Sequence, residues 1–297
     1  MSKMETITLA HSNGGQLTQE LIEDIIYRYC SNDILLQQDD AAYLPDLEGQ
    51  LVTSTDSFVV EPIFFPGGDI GKLAVCGTVN DLAVNGAQPL YLTVGLILEE
   101  GLEIDKLKRI IESLAETAEA AGVKIAAGDT KVVPQGKGGG IYINTTGLGV
   151  VGPGVNLQTA AIKSGDKIIV SGSVGDHGAA ILAHREGFEV SSALKSDCRL
   201  LHNLTAQILS SSGRIKFLTD PTRGGLATAL NEIAQQNQVA INLYEQVLPI
   251  RKEVQGLGAI LGIDPLYLAS EGRLLCVAAA EEVEAVVNAM KDSPIGT

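Results

Sequence analysis

Apolar residues recur in the first half of the chain at two spacings, one typical of amphipathic helices and one typical of strands. QLTQELIEDIIYRYC (16–30) carries leucine or isoleucine at the i, i+4 and i+8 positions, which predicts a helix with one buried face. The run IDKLKRIIESLAETAEAAG (104–122) predicts a second helix. Segments rich in β-branched and apolar residues predict strands: LVTSTDSFVV (51–60), YLTVGLILEE (91–100), VKIAAGDTKVV (123–133) and IYINTTGLGVV (141–151).

The second half of the chain also alternates predicted helices and strands, with no short repeat period. The turn-rich segment GPGVN (152–156) separates the halves, so we predict two α/β domains, 1–152 and 153–297. Predicted strands are DKIIVSGSVG (166–175), VAINLY (239–244) and EGRLLCVAAA (271–280). Predicted helices are GDHGAAILAHREG (175–187), RLLHNLTAQILSSSG (199–213), RGGLATALNEIAQQN (223–237), PIRKEVQGLGAILG (249–262) and EEVEAVVNAMK (281–291).

The segment 70–86, IGKLAVCGTVNDLAVNG, predicts a helix with two different faces. Val75 and Val79 lie on an apolar face, whereas Thr78 and Asp81 share a stripe of small and polar residues. A solvated helix face normally carries Lys, Glu and Gln, so small neighbours favour a close polar partner for the carboxylate, such as a cation. Simple exposure of Asp81 to water remains the alternative at this point.

Composition excludes several classes of protein. The 297 residues are 45% hydrophobic, and no apolar run is long enough to cross a bilayer. The first residues lack the order of a signal peptide, so we expect a cytoplasmic protein without a membrane segment. The four cysteines show no CxxC spacing and are expected to be buried free thiols. A formal charge of -15 argues against nucleic-acid binding, and a small anionic ligand would need a metal to bridge it.

Three familiar catalytic or phosphate motifs do not fit the chain. GLGVVG (147–152) satisfies G-x-G-x-x-G, but Pro153 and Gly154 follow it where a helix should begin, so a strand end is predicted. PGGDIGKL (66–73) lacks the first glycine and the final Ser or Thr of a P-loop, so a turn into the helix is predicted. Neither a G-x-S-x-G elbow nor an H-E-x-x-H helix occurs.

Acidic residues in apolar or glycine-rich surroundings are the remaining signal. Mg²⁺ prefers oxygen ligands and is commonly held by a few carboxylates together with the phosphates of a nucleotide. Each aspartate alone is explained by a turn, an Asx-turn or a helix entry, but their number favours a shared site. They are Asp39, Asp40, Asp56, Asp81, Asp129 and Asp220.

A set of motifs in a fixed order resembles the HypE family of hydrogenase-maturation carbamoyl dehydratases, which belongs to the AIR synthase-like superfamily. The motifs are HSNGGQ, DDAA, STDSFVV, FFPGGDIGKLAVCGTVNDLAVNGAQP, GLILEEG, GDTKVV, SGSVGDHG and TDPTRGG. The resemblance implies an α/β (α+β) fold of two domains. It also implies that the N-terminal domain forms a β-barrel across a homodimer, with ATP bound at the seam, and that an α/β domain follows.

The resemblance also implies a reaction and partners. The reaction is the ATP-dependent dehydration of a C-terminal cysteine S-carboxamide to a protein thiocyanate, the cyanide donor for the iron of an [NiFe] hydrogenase. The implied partners are a second copy of the chain, the carbamoyltransferase HypF and the HypC–HypD iron-carrier complex.

The resemblance assigns roles to individual residues. Lys131 would be the base, and it must then be neutral, which requires desolvation; Glu271 would be its relay partner. Implied Mg²⁺ ligands are Asp39 or Asp40, Asp56, Asp81 and Asp220. Implied ATP-binding residues are His11, Gly14, Gly15, Lys72, Thr78, Asn80, Asp129 and Thr130.

Two departures from the family pattern accompany the resemblance. Ser12 and Asn13 stand where the family usually has glycine and a small residue, and the sequence ends MKDSPIGT rather than in a Pro-Arg-x-Cys tail. The expectation is that the chain as given binds ATP but does not complete its own reaction.

The alternative functions are those of a relative that acts on a small diffusible substrate (an amidine synthetase, selenophosphate synthetase or thiamine-phosphate kinase) and of a non-catalytic maturation adaptor. Selenophosphate synthetase would need a reactive N-terminal cysteine, and none precedes Cys30.

Overall fold

The chain forms two compact units in a computed structural model that describes residues 5–157, 162–188 and 193–294. The first unit comprises Met1–Ile63, Asp69–Thr78 and Pro89–Val150, and the second comprises Phe64–Gly68, Val79–Gln88 and Val151–Thr297. One helix contributes residues to both units, which a single boundary in the sequence cannot represent. The domain limits 1–152 and 153–297 therefore stay a prediction.

The first unit is built on a sheet with the strand order β1-β6-β4-β5. Strands β4 and β5 run parallel, with Gly95 opposite Asp129 and Ile97 opposite Lys131. Alternate residues of β4 are buried, as expected of a sheet covered on one face. The strands of this sheet are β1 (Gln50–Phe58), β4 (Ala87–Glu99), β5 (Lys124–Val133) and β6 (Ile141–Val151). The short strands β2 (Phe64–Phe65) and β3 (Gly68–Asp69) form a separate two-stranded sheet, and all of its residues except Asp69 belong to the second unit.

Helices of the first unit follow the predicted apolar periodicity. The predicted segment 16–30 is continuous helix, with α1 (Gln16–Leu21), a π-helical stretch (Ile22–Tyr27) and α2 (Arg28–Cys30). In α4 (Ile104–Ala121), Leu107, Ile111 and Leu114 are buried at the helical repeat. Helix α3 (Ile70–Val84) begins where Asp69 Oδ1 accepts the N–H groups of Gly71 and Lys72 at 2.8 and 3.1 Å, which is a side-chain cap.

The second unit contains an antiparallel sheet of order β7-β9-β8 with helices packed against it. Its central strand β9 is entirely buried, so its two neighbours satisfy both edges of its backbone. The elements are β7 (Lys167–Val170), α5 (Asp176–Arg185), α6 (His202–Ser211), β8 (Ile215–Thr219), α7 (Gly225–Asn237), α8 (Lys252–Leu261), β9 (Leu275–Ala278) and α9 (Val283–Asp292).

Most predicted elements are confirmed, and one strand prediction is wrong. The segment 239–244 (VAINLY) is not a strand. Strand β8 (Ile215–Thr219), which pairs with β9, was not predicted from the sequence patterns. GLGVVG lies at the end of β6, as predicted, and the four cysteines are free and buried, as predicted. Within the described residues, no helix is long and apolar enough to cross a membrane.

Candidate functional site

A cavity of about 280 Å³ in the first unit brings distant parts of the sequence together. Its lining combines apolar side chains of the helix 16–30, β4 and α4 with polar residues of the N-terminal turn and β5. Such a shape, mostly apolar with a few polar groups, is typical of small-ligand sites. Four residues to which the resemblance assigns a site role line it: Gly14, Asp129, Thr130 and Lys131.

The N-terminal turn is held by local hydrogen bonds. Thr8 N donates to His11 Nδ1 at 3.0 Å, and the His11 ring is buried. Gly14 has φ +76°, and its N–H donates to Thr18 Oγ1 at 3.0 Å. A Cβ added to Gly14 or Gly15 would meet no atom within 4 Å, so the space above these glycines is open to a ligand.

Lys131 and Asp129 form an ion pair beside the same cavity. Lys131 Nζ lies 3.4 Å from Asp129 Oδ1, and the two side chains are 65% and 71% exposed. They project from the same face of β5 because they are two residues apart. Among the described residues, nothing covers most of the Lys131 side chain, so they do not supply the desolvation that a neutral Lys131 requires.

Two predicted ATP-binding residues of α3, Lys72 and Thr78, have hydrogen-bond partners within the first unit. The Thr78 side chain is fully buried, and its hydroxyl lies 2.5 Å from Thr145 Oγ1. Lys72 is half-buried in the first turn, where its N–H is capped by Asp69. The ATP-binding roles of Lys72 and Thr78 stay predictions.

Asn80, in the second unit, joins two loops through its side-chain amide. Its Oδ1 accepts the N–H of Leu201 at 2.7 Å, and its Nδ2 donates to the carbonyls of Arg199 at 3.0 Å and Glu271 at 3.4 Å. Asn80 is fully buried, so these bonds satisfy it inside the protein. The Asn80 side chain thus contacts the backbone carbonyl of Glu271, and its ATP-binding role stays a prediction.

The predicted metal ligands lie in different settings. Asp39 and Asp40 are exposed in a bend, Asp56 and Asp81 are half-buried on β1 and α3, and Asp220 is buried just after β8. Across residues 5–157, 162–188 and 193–294, no group of three or more His, Cys, Asp or Glu is arranged to hold a metal ion. The ligand set therefore stays a prediction.

A buried charge network next to Glu271 was missed by the sequence analysis. Arg273 is 2% exposed, and its guanidinium lies 3.5 Å from Asp176 Oδ2 and 3.5 Å from Asp197 Oδ2. Burial raises the pKa of Asp197 and lowers the pKa of Arg273, because each charged form loses hydration. The available signal was an arginine inside the apolar run EGRLLCVAAA.

Comparison with known proteins decides the family. The model of the AIR synthase related protein N-terminal domain matches residues 38–151, and that of the C-terminal domain matches residues 163–296. The carbamoyl dehydratase HypE of Azotobacter vinelandii is 46% identical over 98% of this chain and 85% of its own length. The chain belongs to the HypE family. Its two-domain, mixed α/β fold is accordingly AIR synthase-like.

Solved HypE structures match the chain closely. A HypE crystal structure in complex with ATP superposes with a TM-score of 0.95 at 46% identity, covering 98% of this chain and 87% of that one. A HypE–HypF complex structure superposes with a TM-score of 0.81 at 44% identity, covering 93% and 90%. Because these identities extend over both units, the likeness to HypE concerns the whole described chain rather than one shared domain.

Proposed function

We propose that this chain is an ATP-dependent carbamoyl dehydratase of [NiFe] hydrogenase maturation. Its substrate is a C-terminal cysteine S-carboxamide, and its product is the protein thiocyanate that supplies cyanide to the active-site iron. HypF is the partner that supplies the carbamoyl group, and the HypC–HypD complex is the recipient of the cyanide. Family membership supports the reaction class, and one feature of the first unit supports the location of the site.

The observation that carries the location is the shared cavity of Gly14, Asp129, Thr130 and Lys131. A glycine turn and the end of a strand are separated by more than a hundred residues in sequence, yet they line one opening. The glycine turn leaves room for a bulky anion, because no atom lies within 4 Å of a Cβ at Gly14 or Gly15. Lys131 offers a cation at the rim.

Carboxylate oxygens are ligands that Mg²⁺ takes together with the phosphates of a nucleotide, and the ligand set comes from the family resemblance, because the described side chains alone form no group of three or more metal ligands. When bound, ATP would phosphorylate the amide oxygen and so turn it into a leaving group, and Mg²⁺ would neutralise the charge on the phosphates. We assign Mg²⁺ to Asp56, Asp81 and Asp220 with Asp39 or Asp40, and the nucleotide to the glycine turn and β5. A chain with a net charge of -15 gains from a divalent cation between carboxylates and phosphates.

Lys131 and Glu271 carry the proton transfer in this proposal. The Lys131 amine accepts a proton from the amide nitrogen after the substrate covers the rim of the cavity, because only a bound substrate removes water from this exposed side chain. Glu271 then accepts this proton from Lys131. Its side chain is half-buried, and its backbone is fixed by hydrogen bonds.

A homodimer is part of the proposal. Strands β1 and β5 are the edges of the first sheet, and long edges invite pairing with another strand. Leu51 and Ile97, both on sheet strands of this unit, are 54% and 43% exposed. A second copy that covers these residues would remove apolar surface from water.

The test is turnover of a synthetic peptide that ends in cysteine S-carboxamide. The purified chain, ATP and Mg²⁺ are expected to release phosphate only with this peptide and to convert it to a product lighter by one water. A peptide ending in unmodified cysteine is the matched control. Equal phosphate release with both peptides, or no loss of water, would refute the dehydratase assignment.

A further inference from the structure

Both backbone polar groups of Glu271 are held by a neighbouring segment of the second unit. Its N–H donates to Asp197 Oδ1 at 3.1 Å. Its carbonyl accepts from Arg199 N and from Asn80 Nδ2, each at 3.4 Å. The residue that we assign to the proton relay is therefore fixed at the backbone, while its side chain extends from this fixed point.

The next residue brings the two segments into direct contact. A Cβ at Gly272 would lie 1.9 Å from the carbonyl oxygen of Asp197, which is far inside van der Waals contact. Glycine is required here by the close approach of two backbones. The segments 196–199 and 270–273 thus pack as a unit around the Glu271 peptide groups.

Arg273 anchors this pair of segments. Its Nε donates to Ser173 O at 2.8 Å, and its Nη2 donates to Ser173 Oγ at 3.1 Å. The same guanidinium forms ion pairs of 3.5 Å with Asp176 and Asp197. Asp197 consequently links the anchor to the relay residue, with Oδ2 toward Arg273 and Oδ1 on the Glu271 N–H.

We propose that Asp197 and Arg273 are positioning residues that hold Glu271 for proton transfer. The inference rests on the role proposed for Glu271 and adds residues to that site. Neither residue needs to touch the substrate, because Asp197 acts through the Glu271 N–H and Arg273 acts through Asp197.

The energetics favour such a role over simple stabilisation. Two carboxylates and one guanidinium, each at most 3% exposed, lose much of their hydration, and a buried ion cluster is often no more stable than apolar residues of the same volume. Such a cluster does fix geometry, because the charges tolerate only a narrow range of positions. A catalytic group displaced by about 1 Å can lose about 100-fold in rate.

Asp197→Asn is the decisive variant, because it preserves size and an oxygen acceptor for the Glu271 N–H but removes the charge facing Arg273. We expect kcat to fall roughly 10- to 100-fold, with the KM for ATP changed by less than about threefold.

Asp166→Asn is the matched control. Asp166 has a 4% exposed side chain that also pairs with a cation, Lys216 at 3.3 Å, and accepts a backbone N–H, that of Lys163 at 2.8 Å. These contacts of Asp166 do not involve Glu271, so kcat should stay within about twofold of wild type.

A double-mutant cycle with Glu271→Gln separates positioning from a general effect. If Asp197 acts through Glu271, the double variant is no slower than Glu271→Gln alone. The inference would be overturned if the kcat losses of the two single variants multiplied in the double variant. It would also be overturned by a kcat of Asp197→Asn near that of wild type, or by an equal loss of kcat in Asp166→Asn.

Two further measurements keep the result interpretable. If circular dichroism shows that Asp197→Asn does not fold, Arg273→Lys takes its place in the experiment. Lysine keeps the positive charge but loses the paired hydrogen bonds to Ser173, so the same loss of kcat is expected. A wild-type kcat in Arg273→Lys would overturn the inference. Full activity of Glu271→Gln would refute the proposed relay and the positioning role together. An effect of Glu271→Gln without an effect at position 197 or 273 would refute positioning alone.

Discussion

The hydroxyl of Thr78 lies 2.5 Å from that of Thr145 in the buried core of the first unit. Thr145 Oγ1 in turn donates to the carbonyl of Ala74, one turn earlier in α3, at 3.1 Å. The order of donation follows: Thr78 donates to Thr145, and Thr145 donates to the helix carbonyl. The chain of bonds fixes α3 to β6, because the two threonines belong to these elements.

The first prediction is that valine costs more stability at position 145 than at position 78. Thr145→Val leaves the fully buried Thr78 hydroxyl without its acceptor, and we expect a loss of about 1–3 kcal/mol in the free energy of unfolding. Thr78→Val leaves Thr145 bonded to Ala74, and a loss of about 0.5–1.5 kcal/mol is expected. Urea unfolding of both variants measures the difference, and the reverse order would contradict the direction of donation.

The second prediction concerns Lys131 and its neighbour on the same strand, Lys124. Lys131→Met should reduce turnover of the carboxamide peptide by about 100- to 10,000-fold, as expected when a general base is lost, while ATP binding measured by calorimetry is retained. Lys124 is also exposed on β5 and pairs with Asp33 Oδ1 at 2.6 Å. Lys124→Met is therefore the control for removing a paired surface lysine, and it should leave turnover unchanged.

Equal turnover of the two lysine variants would remove Lys131 from the chemistry. A loss of ATP affinity in Lys131→Met that accounts for the whole decrease would assign the residue to nucleotide binding instead. The comparison of kcat with KM distinguishes these results, since a base acts on the transition state and a binding residue acts on both states.

Local patterns predicted the long elements but not the pairings that depend on distant residues. Helix α3 was predicted over 70–86 and runs from Ile70 to Val84, because its apolar repeat spans four turns. Strand β8 has five residues, and its partner β9 lies about sixty residues later. Nothing in IKFLT itself distinguishes it from VAINLY, which has a similar composition and is not a strand.

The site shows the same limit. Asp129 and Lys131 were identified by a motif that resembles a family, and the cavity that joins them to Gly14 depends on the fold. Asp176, Asp197 and Arg273 come from three separate segments. No sequence spacing connects these three residues, so their connection to the Glu271 backbone through Asp197 is visible only in the folded chain.

The third prediction is a pH dependence of stability caused by His177. The ring is buried, with its Nδ1 2.8 Å from Ser196 Oγ, and burial lowers its pKa from 6.5 to about 4. Between these values the unfolded chain binds a proton that the folded chain does not, so this contribution is full above pH 6.5 and is lost as the pH falls toward 4. A shift of this size corresponds to about 3 kcal/mol.

Urea unfolding of wild type and His177→Asn from pH 7.5 to pH 4.5 measures this contribution. The wild type should lose more stability on acidification than the variant does. His184→Asn is the control, because His184 lies in the same helix α5 but is exposed, and it should follow the wild type. Parallel curves for wild type and His177→Asn would show that His177 is not the group responsible.

The fourth prediction is that none of the cysteines Cys30, Cys76, Cys198 and Cys276 accepts the carbamoyl group in the folded chain. All of them are buried, and burial raises the pKa of the Cys30 and Cys276 thiols to about 12. Thiolate is the reactive form, so these two sulfurs are neutral at physiological pH. Cys276 is also confined within the sheet, paired with Ile169 on one side and Leu218 on the other, and it cannot reach a reacting group without breaking β9 away from its neighbours.

Incubation with HypF, carbamoyl phosphate and ATP, followed by peptide mass spectrometry, tests this prediction. A short peptide that ends in cysteine, added to the same mixture, is the positive control for carbamoyl transfer. A thiol reagent should label the native chain at least about 100-fold more slowly than the chain in urea, because labelling of a buried thiol requires local opening. Carbamoyl modification of any of the cysteines in the native chain at substantial yield would contradict the prediction. It would also show that the segment carrying that cysteine opens far more readily than its packing indicates.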